Sequence, residues 1–251
     1  MNANEAQEIV ARARTAARLT SHPFPIAEVD DFLPRPLLRQ VQCAFPSPTD
    51  PAWETSHIGE VERKRRSTWG SIFDVPPYIK DVVELLNSSL FLHLLSDILH
   101  IPKLLPDPYF TGGGLNESFQ GDYLDVHVDG NYHDASGLNR RVNAILYLND
   151  EWKSEWGGCL GLYTNEGVTL VRSVEPIANK LILFDTSDVS FHGYPDPIAC
   201  PPDVSRRSII LYYYTKESTP ARNVRVAQPH SALWVKRELK DKNHKTTREF
   251  S

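Results

Sequence analysis

The stretch YLDVHVDGNYHD, residues 123–134, places two of the chain's 9 histidines and three aspartates within twelve residues. It begins with alternating apolar and polar residues, a pattern that predicts a half-buried β-strand. Because successive side chains of a strand point to opposite faces, His127 and Asp129 share one face, and Val126 and Val128 share the other. The stretch therefore predicts an imidazole and a carboxylate side by side on one surface of a sheet.

The His127–Asp129 pair supplies two members of the 2-His-1-carboxylate triad, which holds a metal and leaves its other positions open. An isolated pair is more typical of a polar strand face exposed to water. A metal site requires a second histidine from another strand. We expect it to be His192, which follows an apolar residue and precedes a glycine in DVSFHGYPDP, residues 188–197. The remaining histidines lie in predicted loops, in predicted helices, past the Gly-Asn turn or in the polar tail: His22, His57, His230, His93, His100, His133 and His244.

A buried arginine is predicted on the strand that follows. The run RRSIILYYYT, residues 206–215, has the composition of an inner strand, and Arg206 and Ser208 share one of its faces. A guanidinium inside a β core is costly unless it meets a carboxylate, which it can bind through two parallel hydrogen bonds. Beside a site with two histidines and an aspartate, we expect that carboxylate to belong to a dicarboxylic cosubstrate.

Eight β-rich runs separated by turn residues follow Pro106, which predicts an all-β sandwich or barrel. Helical patterns precede them, so the predicted fold class is α+β, with helices packed on one face of the β core. The runs are PYFTGG (108–113), SFQGDYLDVHVD (118–129), RRVNAILYLND (140–150), GGCLGLYT (157–164), VTLVRSVEP (168–176), NKLILFDTS (179–187), DVSFHGYP (188–195) and RRSIILYYYT.

We expect one domain with three regions. Residues 1–105 form a supporting region of helices and a strand, residues 106–215 the β core, and residues 216–251 a polar, basic arm that frays after about Arg237. The supporting region is predicted to hold a helix (4–19), a short strand in PFPIAEVDDFLP (23–34), a helix opened by two prolines and ending at Phe45, a proline-broken loop (46–59), the basic run VERKRRSTWGS (61–71) and one or two amphipathic helices (76–102). The basic run is interpreted as a solvated loop, with a lip that contacts an anionic substrate as the alternative.

The composition narrows the class of partner. With 41% hydrophobic and 24% charged residues the chain has the composition of a soluble globular protein. A net charge of −5 argues against nucleic acid as the main partner. Three cysteines without a CxxC motif fit a reducing cytoplasm, and neither a signal peptide nor a run of 18 apolar residues is found, so we expect no membrane partner. The composition leaves the oligomeric state open.

The order His-x-Asp, His, Arg-x-Ser resembles that of the 2-oxoglutarate/Fe(II) dioxygenases. The run HVDGNYHDASGLNRRVNAILYLNDEWKSEWGGCLGLY, residues 127–163, resembles their prolyl 4-hydroxylase-like branch, and the likeness extends over roughly residues 108–215. The resemblance implies a double-stranded β-helix, a jelly-roll or cupin-like core with supporting N-terminal helices. It also implies Fe(II), 2-oxoglutarate and O2 as cofactor and cosubstrates.

The resemblance assigns roles to particular residues. It implies His127, Asp129 and His192 as catalytic iron ligands. It implies that Arg206 binds the C5 carboxylate of 2-oxoglutarate with help from Ser208 and the Tyr147 hydroxyl. By the period of the strand Arg207 faces the other way, and a bulge in the strand would exchange the roles of the two arginines. Asn116 and Glu117 are further candidates for hydrogen bonds to 2-oxoglutarate. The substrate candidates are Asn131, Tyr132, His133, Arg140, Arg141 and Trp69.

Two of the substrate expectations are specific. One of Arg140 and Arg141 is expected to point into the site and bind an anionic group. Trp69 and the N-terminal helices are expected to form a lid.

The function expected from these residues is hydroxylation of an unactivated C–H bond in a small molecule or biosynthetic intermediate, with conversion of 2-oxoglutarate to succinate. The alternatives are hydroxylation of a prolyl residue in a protein or peptide, a cupin-type metal enzyme without 2-oxoglutarate, and a non-catalytic β-sandwich binding module. Within the family, halogenases need a small residue where Asp129 stands, and nucleic-acid demethylases carry an arginine where this chain has Tyr212. Both comparisons favour a hydroxylase that acts on neither chloride nor nucleic acid.

Overall fold

The computed structural model describes residues 1–58, 60–67, 69–149, 151–216 and 229–235. Four helices precede most of the strands: α1 (Ala3–Ala16), α2 (Arg35–Cys43), α3 (Ile79–Asn87) and α4 (Ser89–Leu99). Short 3-10 turns occur at Ile72–Asp74 and Ser154–Trp156. The strands are β1 (Arg18–Thr20), β2 (Ile26–Val29), β3 (Trp53–Ile58), β4 (Glu62–Ser67), β5 (Leu105–Pro106), β6 (Gly114–Ser118), β7 (Tyr123–Val128), β8 (Tyr132–His133), β9 (Leu138–Tyr147), β10 (Leu160–Thr164), β11 (Thr169–Val174), β12 (Leu181–Asp185), β13 (His192–Tyr194), β14 (Arg206–Thr215) and β15 (Leu233–Trp234).

Local sequence explains where the helices begin and end. The Asn2 side chain accepts a hydrogen bond from the Glu5 amide, and the Glu5 side chain accepts one from the Asn2 amide, so a capping box begins α1. The predicted amphipathic segment 76–102 is divided into α3 and α4 because Ser88 is extended and its side chain caps α4 by accepting from the Phe91 amide.

All the strands join one antiparallel sheet that curls on itself. Its order is β1-β2-β12-β9-β14-β6-β4-β7-β13-β10-β11, with β3, β5, β8 and β15 attached at the side of this path. Strands β12, β9, β14 and β6 form one half, β7, β13, β10 and β11 form the other, and β4 joins the two between β6 and β7. The predicted class, α+β with a curled β core, agrees with this arrangement.

Alternation along the strands separates two hydrophobic layers. On β9, Val142, Ala144 and Leu146 pack with the helices on the outside of the sheet. Ile145 and Tyr147 point to the inside, where they meet residues of β10 and β12. Burial of a large aliphatic side chain stabilises the fold by about 1.5–3 kcal/mol, so both layers hold the curled sheet in shape. The helices lie on the outer layer and leave the interior to side chains from the strands.

Strand β14 carries four side chains along the interior. Arg206, Ser208, Ile210 and Tyr212 are two residues apart and therefore share a face. Ser208 pairs with Tyr147 on one side and Asn116 on the other, and Tyr212 pairs with Asn143. Because a strand rises about 3.3 Å per residue, this row extends about 20 Å from the deep end of the interior at Arg206 to its mouth at Tyr212.

Several predicted elements differ from the structure. PYFTGG (108–113) is a turn, and the first core strand is β6, which begins at Gly114. The proline-broken loop contains β3. The basic run forms β4, because its side chains alternate between the interior and an outer face, where buried Glu117 can neutralise the positive charge of Arg65. Part of the predicted C-terminal arm forms β15, while the fraying expected after Arg237 falls outside the described residues. The division into three regions stays a prediction, although strands from residues before 106 hydrogen-bond to the core strands.

Among the residues described, no single helix is both long and apolar enough to cross a bilayer. The pair α3 and α4 passes that test only when taken together, with a bend of 58° between them.

Candidate metal and cosubstrate site

The two predicted histidine ligands lie opposite each other on neighbouring strands. His192 of β13 is the antiparallel partner of His127 of β7. Their ring centroids are 4.4 Å apart, and both residues are buried. The close approach depends on Gly193, since a Cβ there would lie 2.7 Å from the Asp125 carbonyl oxygen. The glycine after His192 therefore serves the close packing of β13 against β7.

Each histidine is oriented by a backbone carbonyl. Nδ1 of His127 lies 2.8 Å from the Asp125 oxygen, and Nδ1 of His192 lies 2.9 Å from the Ser190 oxygen. A carbonyl only accepts, so each Nδ1 donates and each Nε2 keeps its lone pair for another partner. This is the arrangement that fixes the tautomer of a histidine that binds a metal.

Asp129 completes the cluster. Its Oδ1 lies 3.7 Å from Nε2 of His127, and its Oδ2 lies 3.9 Å from Nε2 of His192. The three ligand atoms lie within 4.8 Å of one another, and this is the one such His/Cys/Asp/Glu group in the part of the chain that the structure describes. Asn143 donates a hydrogen bond of 3.0 Å to Oδ2 and orients the carboxylate.

The charge state of the cluster suits a cation. Burial raises the pKa of Asp129, but His127, His192 and Arg140 outweigh it and hold the pKa well below its usual range. Burial, together with repulsion from His127, lowers the pKa of His192 to about 4. At neutral pH the cluster therefore offers a carboxylate and a neutral His192 ring, which are the protonation states that a metal requires.

A buried arginine occupies the deep end, as predicted. Arg206 is 5% exposed, donates from Nε to the Gly158 carbonyl oxygen at 2.8 Å, and donates from Nη2 to the Tyr147 hydroxyl at 3.0 Å. Its guanidinium also lies 4.4 Å from the Tyr194 ring centroid. These two hydrogen bonds leave further guanidinium donors for an anion.

Two polar groups next to this arginine have no partner in the described chain. The Ser208 hydroxyl and the Asn116 side-chain nitrogen are buried without a hydrogen bond. Buried polar groups are rarely left so, because an unpaired group costs about 1–3 kcal/mol. A donor set of two imidazoles and a carboxylate, with an arginine and two unpaired polar groups deeper in the same interior, fits Fe(II) and a dicarboxylate.

Glu117 does not fit the 2-oxoglutarate role considered for it. Its carboxylate binds Arg65 and Arg207 and accepts from the Ser205 hydroxyl, on the outer face of the sheet. Arg207 therefore faces away from Arg206, in agreement with the period of the strand.

The mouth of the interior is a polar cavity of about 410 Å³. Arg140 reaches it because β9 has a bulge: Tyr213 pairs with Val142 and Tyr214 pairs with Arg140, which leaves Arg141 between the paired positions. Arg140 lies 3.9 Å from the Tyr212 ring centroid and 4.0 Å from Asp129 Oδ1. Attraction to Tyr212 and Asp129 raises the pKa of Arg140 although burial opposes it. Of the two adjacent arginines, Arg140 therefore points inward.

Two of the other substrate candidates lie at the cavity, and three lie away from it. Tyr132 lines the cavity, and Asn131 lies at its rim, bonded to the backbone of His230. Arg141 lies 3.9 Å from Asp185.

His133 is buried, with Nε2 bonded to Asp107 and Thr111, so its hydrogen bonds are structural. Trp69 is 6% exposed and packs edge-on against Phe110 in the outer core, so neither it nor the helices form the expected lid.

The structure adds cavity residues that the sequence did not single out. Lys64 and Arg66 of β4 line the cavity, and Lys64 pairs with buried Glu62 at 2.9 Å. This position agrees with the alternative interpretation of the basic run as a lip. Trp234 also lines the cavity and lies against His127. The short apolar run 232–235 within a polar tail was the only sequence signal for it.

Comparison with known proteins agrees with this geometry. Residues 114–214 match the family model described as the 2OG-Fe(II) oxygenase superfamily. The matched segment includes His127, Asp129, His192 and Arg206. Superfamily members use Fe(II), 2-oxoglutarate and O2, which are the cofactor and cosubstrates that the sequence predicted. The predicted double-stranded β-helix is confirmed as well.

Solved structures show how far the likeness extends. A Pseudomonas putida prolyl-4-hydroxylase superposes with a TM-score of 0.56 at 16% identity, covering 85% of this chain and 100% of that chain. A Trichoplax adhaerens prolyl hydroxylase, solved with a hypoxia inducible factor oxygen degradation domain peptide, has a TM-score of 0.57 at 19% identity, covering 84% and 91%. At these identities the likeness concerns the fold alone.

Two curated relatives match over shorter segments. Prolyl 3-hydroxylase OGFOD1 of Mus musculus is 34% identical over 115 residues, which are 41% of this chain and 21% of the relative. The Xenopus laevis protein of the same name is 41% identical over 64 residues, 24% and 12% of the two chains. The matched segments thus span 21% and 12% of the length of these relatives.

Proposed function

We propose that this oxygenase hydroxylates a prolyl residue in a protein or peptide, using Fe(II), 2-oxoglutarate and O2. The observation that carries the proposal is the His127–Asp129–His192 cluster in the same interior as Arg206 and Tyr147. Prolyl hydroxylases recur among the relatives and among the structures of similar fold. They support the protein or peptide substrate and give no support to the small-molecule substrate expected from the sequence.

In this proposal His127, Asp129 and His192 hold the iron, and Arg206, Tyr147, Ser208 and Asn116 hold 2-oxoglutarate. When bound, Fe(II) with 2-oxoglutarate and O2 supplies the oxidation of a C–H bond to C–OH, coupled to formation of succinate and carbon dioxide. The protein's part is ligation, orientation and a shaped cavity. The charge of Arg206, kept deep in the interior, anchors one end of the dicarboxylate and thereby leaves its other end toward the histidines.

At the mouth, Arg140 is a donor for the substrate. Its Nε has no hydrogen-bond partner among the described residues, and its guanidinium is held against the Tyr212 ring. A peptide carbonyl oxygen is an acceptor that would satisfy it. The polar lining of the cavity suits a peptide backbone that crosses the mouth while one side chain enters.

The test is hydroxylation of a panel of proline-containing peptides with Fe(II), 2-oxoglutarate and ascorbate, read by mass spectrometry and by succinate release. We expect a gain of one oxygen on a prolyl residue, and loss of at least about 10³-fold in rate for Asp129→Ala, because one metal ligand is removed. Asp196→Ala, which changes an exposed carboxylate, is the matched control and keeps full activity.

Three outcomes would contradict the proposal in different ways. Succinate release with a small-molecule panel but with no peptide would restore the small-molecule function. Binding of metal without any rise in thermal stability on addition of 2-oxoglutarate would indicate a cupin-type enzyme. Absence of metal binding would favour a non-catalytic module, although that alternative predicted an exposed His127 and the residue is 5% exposed.

A further inference from the structure

A segment near the C-terminus forms one wall of the site. Residues 229–235, called here the C-terminal strap, contain β15, which pairs antiparallel with the strand that carries the first histidine ligand. Leu233 pairs with Val128, and Trp234 pairs with His127. The Val235 amide donates to the Val126 carbonyl oxygen at 2.8 Å. The strap therefore extends the sheet beyond β4 along the remaining edge of β7.

The strap is also tied to both loops next to the ligands. The Asn131 amide donates to the His230 carbonyl oxygen at 3.2 Å, and the His230 amide donates to Asn131 Oδ1 at 2.9 Å. The His230 ring lies 3.0 Å from Asp188 Oδ1. Asn131 follows Asp129, and Asp188 lies four residues before His192. The strap thus bridges the two chain segments that bring the ligands together.

Gly130 allows the strap to lie this close. A Cβ at position 130 would lie 3.0 Å from the His230 carbonyl oxygen and 3.3 Å from the Ser231 backbone. Any larger side chain would push the strap away from the ligand strand, so the residue after Asp129 and the strap are matched in shape.

Trp234 is the strap residue that faces the site. Val235 packs into an outer cluster with Val126 and Phe191, with Leu233 against it. Because alternate residues of a strand point to opposite faces, Trp234 points inward. Its ring centroid is 4.6 Å from that of His127, with 31° between the planes, and it lines the cavity together with Tyr132 and Tyr212.

We propose that Trp234 determines substrate specificity, by forming the aromatic wall against which the ring of the target residue packs, and that it positions the His127 ring. An indole gives a large, rigid apolar surface whose face attracts positively polarised hydrogens, at little entropic cost. A pyrrolidine ring presents such C–H groups on an apolar ring. The substrate part of this inference rests on the proposed function; the position of Trp234 beside the metal ligand does not.

The test compares Trp234→Phe and Trp234→Ala with the native enzyme, and uses Trp53→Phe as the matched control. Trp53 is a tryptophan on the outer layer that packs against Phe45 and Arg65. The first measurement is quenching of tryptophan fluorescence by Co(II), which needs neither 2-oxoglutarate nor a substrate. We expect strong quenching in the native protein and in Trp53→Phe, and loss of the metal-dependent part in Trp234→Phe.

The second measurement is kinetic. For Trp234→Ala we expect the KM for a prolyl peptide to rise about tenfold, as for loss of one well-packed interface anchor. The KM for 2-oxoglutarate should change less than about twofold, and more succinate should form per hydroxylated peptide, because a loosely held target ring wastes turnovers. Trp234→Phe, which keeps an aromatic wall, should recover most of the peptide affinity.

The fluorescence and kinetic results test different parts of the proposal for Trp234. Equal Co(II) quenching in the native enzyme and Trp234→Phe would overturn the position beside the ligand. An unchanged peptide KM and unchanged coupling in both Trp234 variants would overturn the specificity role. If the native enzyme hydroxylates no prolyl peptide, the proposed function fails and the substrate part fails with it. The fluorescence result then still decides whether Trp234 lies beside the metal site.

Discussion

Two arginines lie inside the curled sheet, one at its deep end and one at its mouth, and they are held in different ways. Arg206 also lies near the rings of Tyr147 and Tyr194, but it is fixed by hydrogen bonds to a backbone carbonyl and a tyrosine hydroxyl. Arg140 lies against the rings of Tyr212 and Tyr214, at the limit of ion-pair distance from Asp129, with its Nε unpaired among the described residues.

The difference shows how one interior can serve two partners. A guanidinium fixed by oriented hydrogen bonds has little freedom and suits a cosubstrate that is the same in every turnover. A guanidinium supported by aromatic faces keeps donors available and can adjust to a larger, less uniform substrate. Mutations at the two ends should therefore separate cosubstrate binding from substrate binding.

The largest effect is expected at the deep end. Arg206→Gln should raise the KM for 2-oxoglutarate by about 100-fold, because a buried charged hydrogen bond to a carboxylate is lost at a cost of about 2.7 kcal/mol. The KM for the peptide should stay nearly constant. Initial rates of succinate formation at varied 2-oxoglutarate concentration measure the change.

The adjacent residue provides the control. Arg207→Gln removes the same charge one position away, on the outer face, where Glu117 also keeps its contact with Arg65. It should leave the KM for 2-oxoglutarate unchanged. Similar effects of the two substitutions would show that Arg206 does not have a distinct role in binding the cosubstrate.

A smaller effect is expected at the mouth. Arg140→Gln should raise the peptide KM by about tenfold, corresponding to about 1.4 kcal/mol. The KM for 2-oxoglutarate should change by less than about twofold, because the effects of residues that contact different ligands are nearly independent. Steady-state kinetics with each cosubstrate varied in turn measure both constants.

Arg63→Gln is the comparison for the mouth, because Arg63 is on the outward face of β4 and 54% exposed. It should change neither constant. A rise in the KM for 2-oxoglutarate in Arg140→Gln would contradict the separation of the two ends, since it would mean that Arg140 also holds the cosubstrate.

The smallest effect concerns the C-terminal strap. The hydrogen bond to Asp188 raises the pKa of His230 although burial opposes it. A raised pKa in the folded state means that the stabilisation is fully present below the unfolded value of about 6.5 and disappears as the pH rises through the raised value. An ion pair of this kind contributes up to about 1 kcal/mol.

Thermal unfolding of the native protein and of His230→Gln between pH 6 and pH 9 tests this. At pH 6 we expect the Tm of the native protein to be about 2–4 °C higher than that of His230→Gln. This difference in Tm should disappear toward pH 9. A difference that stays constant with pH would show that the charge of His230 does not stabilise the strap.

Predictions from the sequence agreed with the structure where the pattern of neighbouring residues was enough to decide the outcome. Seven of the eight predicted core runs contain a strand, and alternation correctly separated Arg206 from Arg207 and His127 from its neighbours. The mistakes arose where pairing with a distant strand decided the outcome. The basic run became β4 because it fits between β6 and β7, and PYFTGG became a turn despite its strand-like composition.

The sequence by itself determined which residues of each regular strand point into the interior of the sheet, because period-2 alternation is a property of the local backbone. These residues include the ligand cluster and the deep arginine. Only the tertiary structure decided the mouth of the site. A bulge in β9 aims Arg140 inward, and pairing across about a hundred residues brings Trp234 against His127. Neither a register shift nor a pairing between distant segments leaves a pattern in the residues nearby, because both depend on how the whole sheet closes.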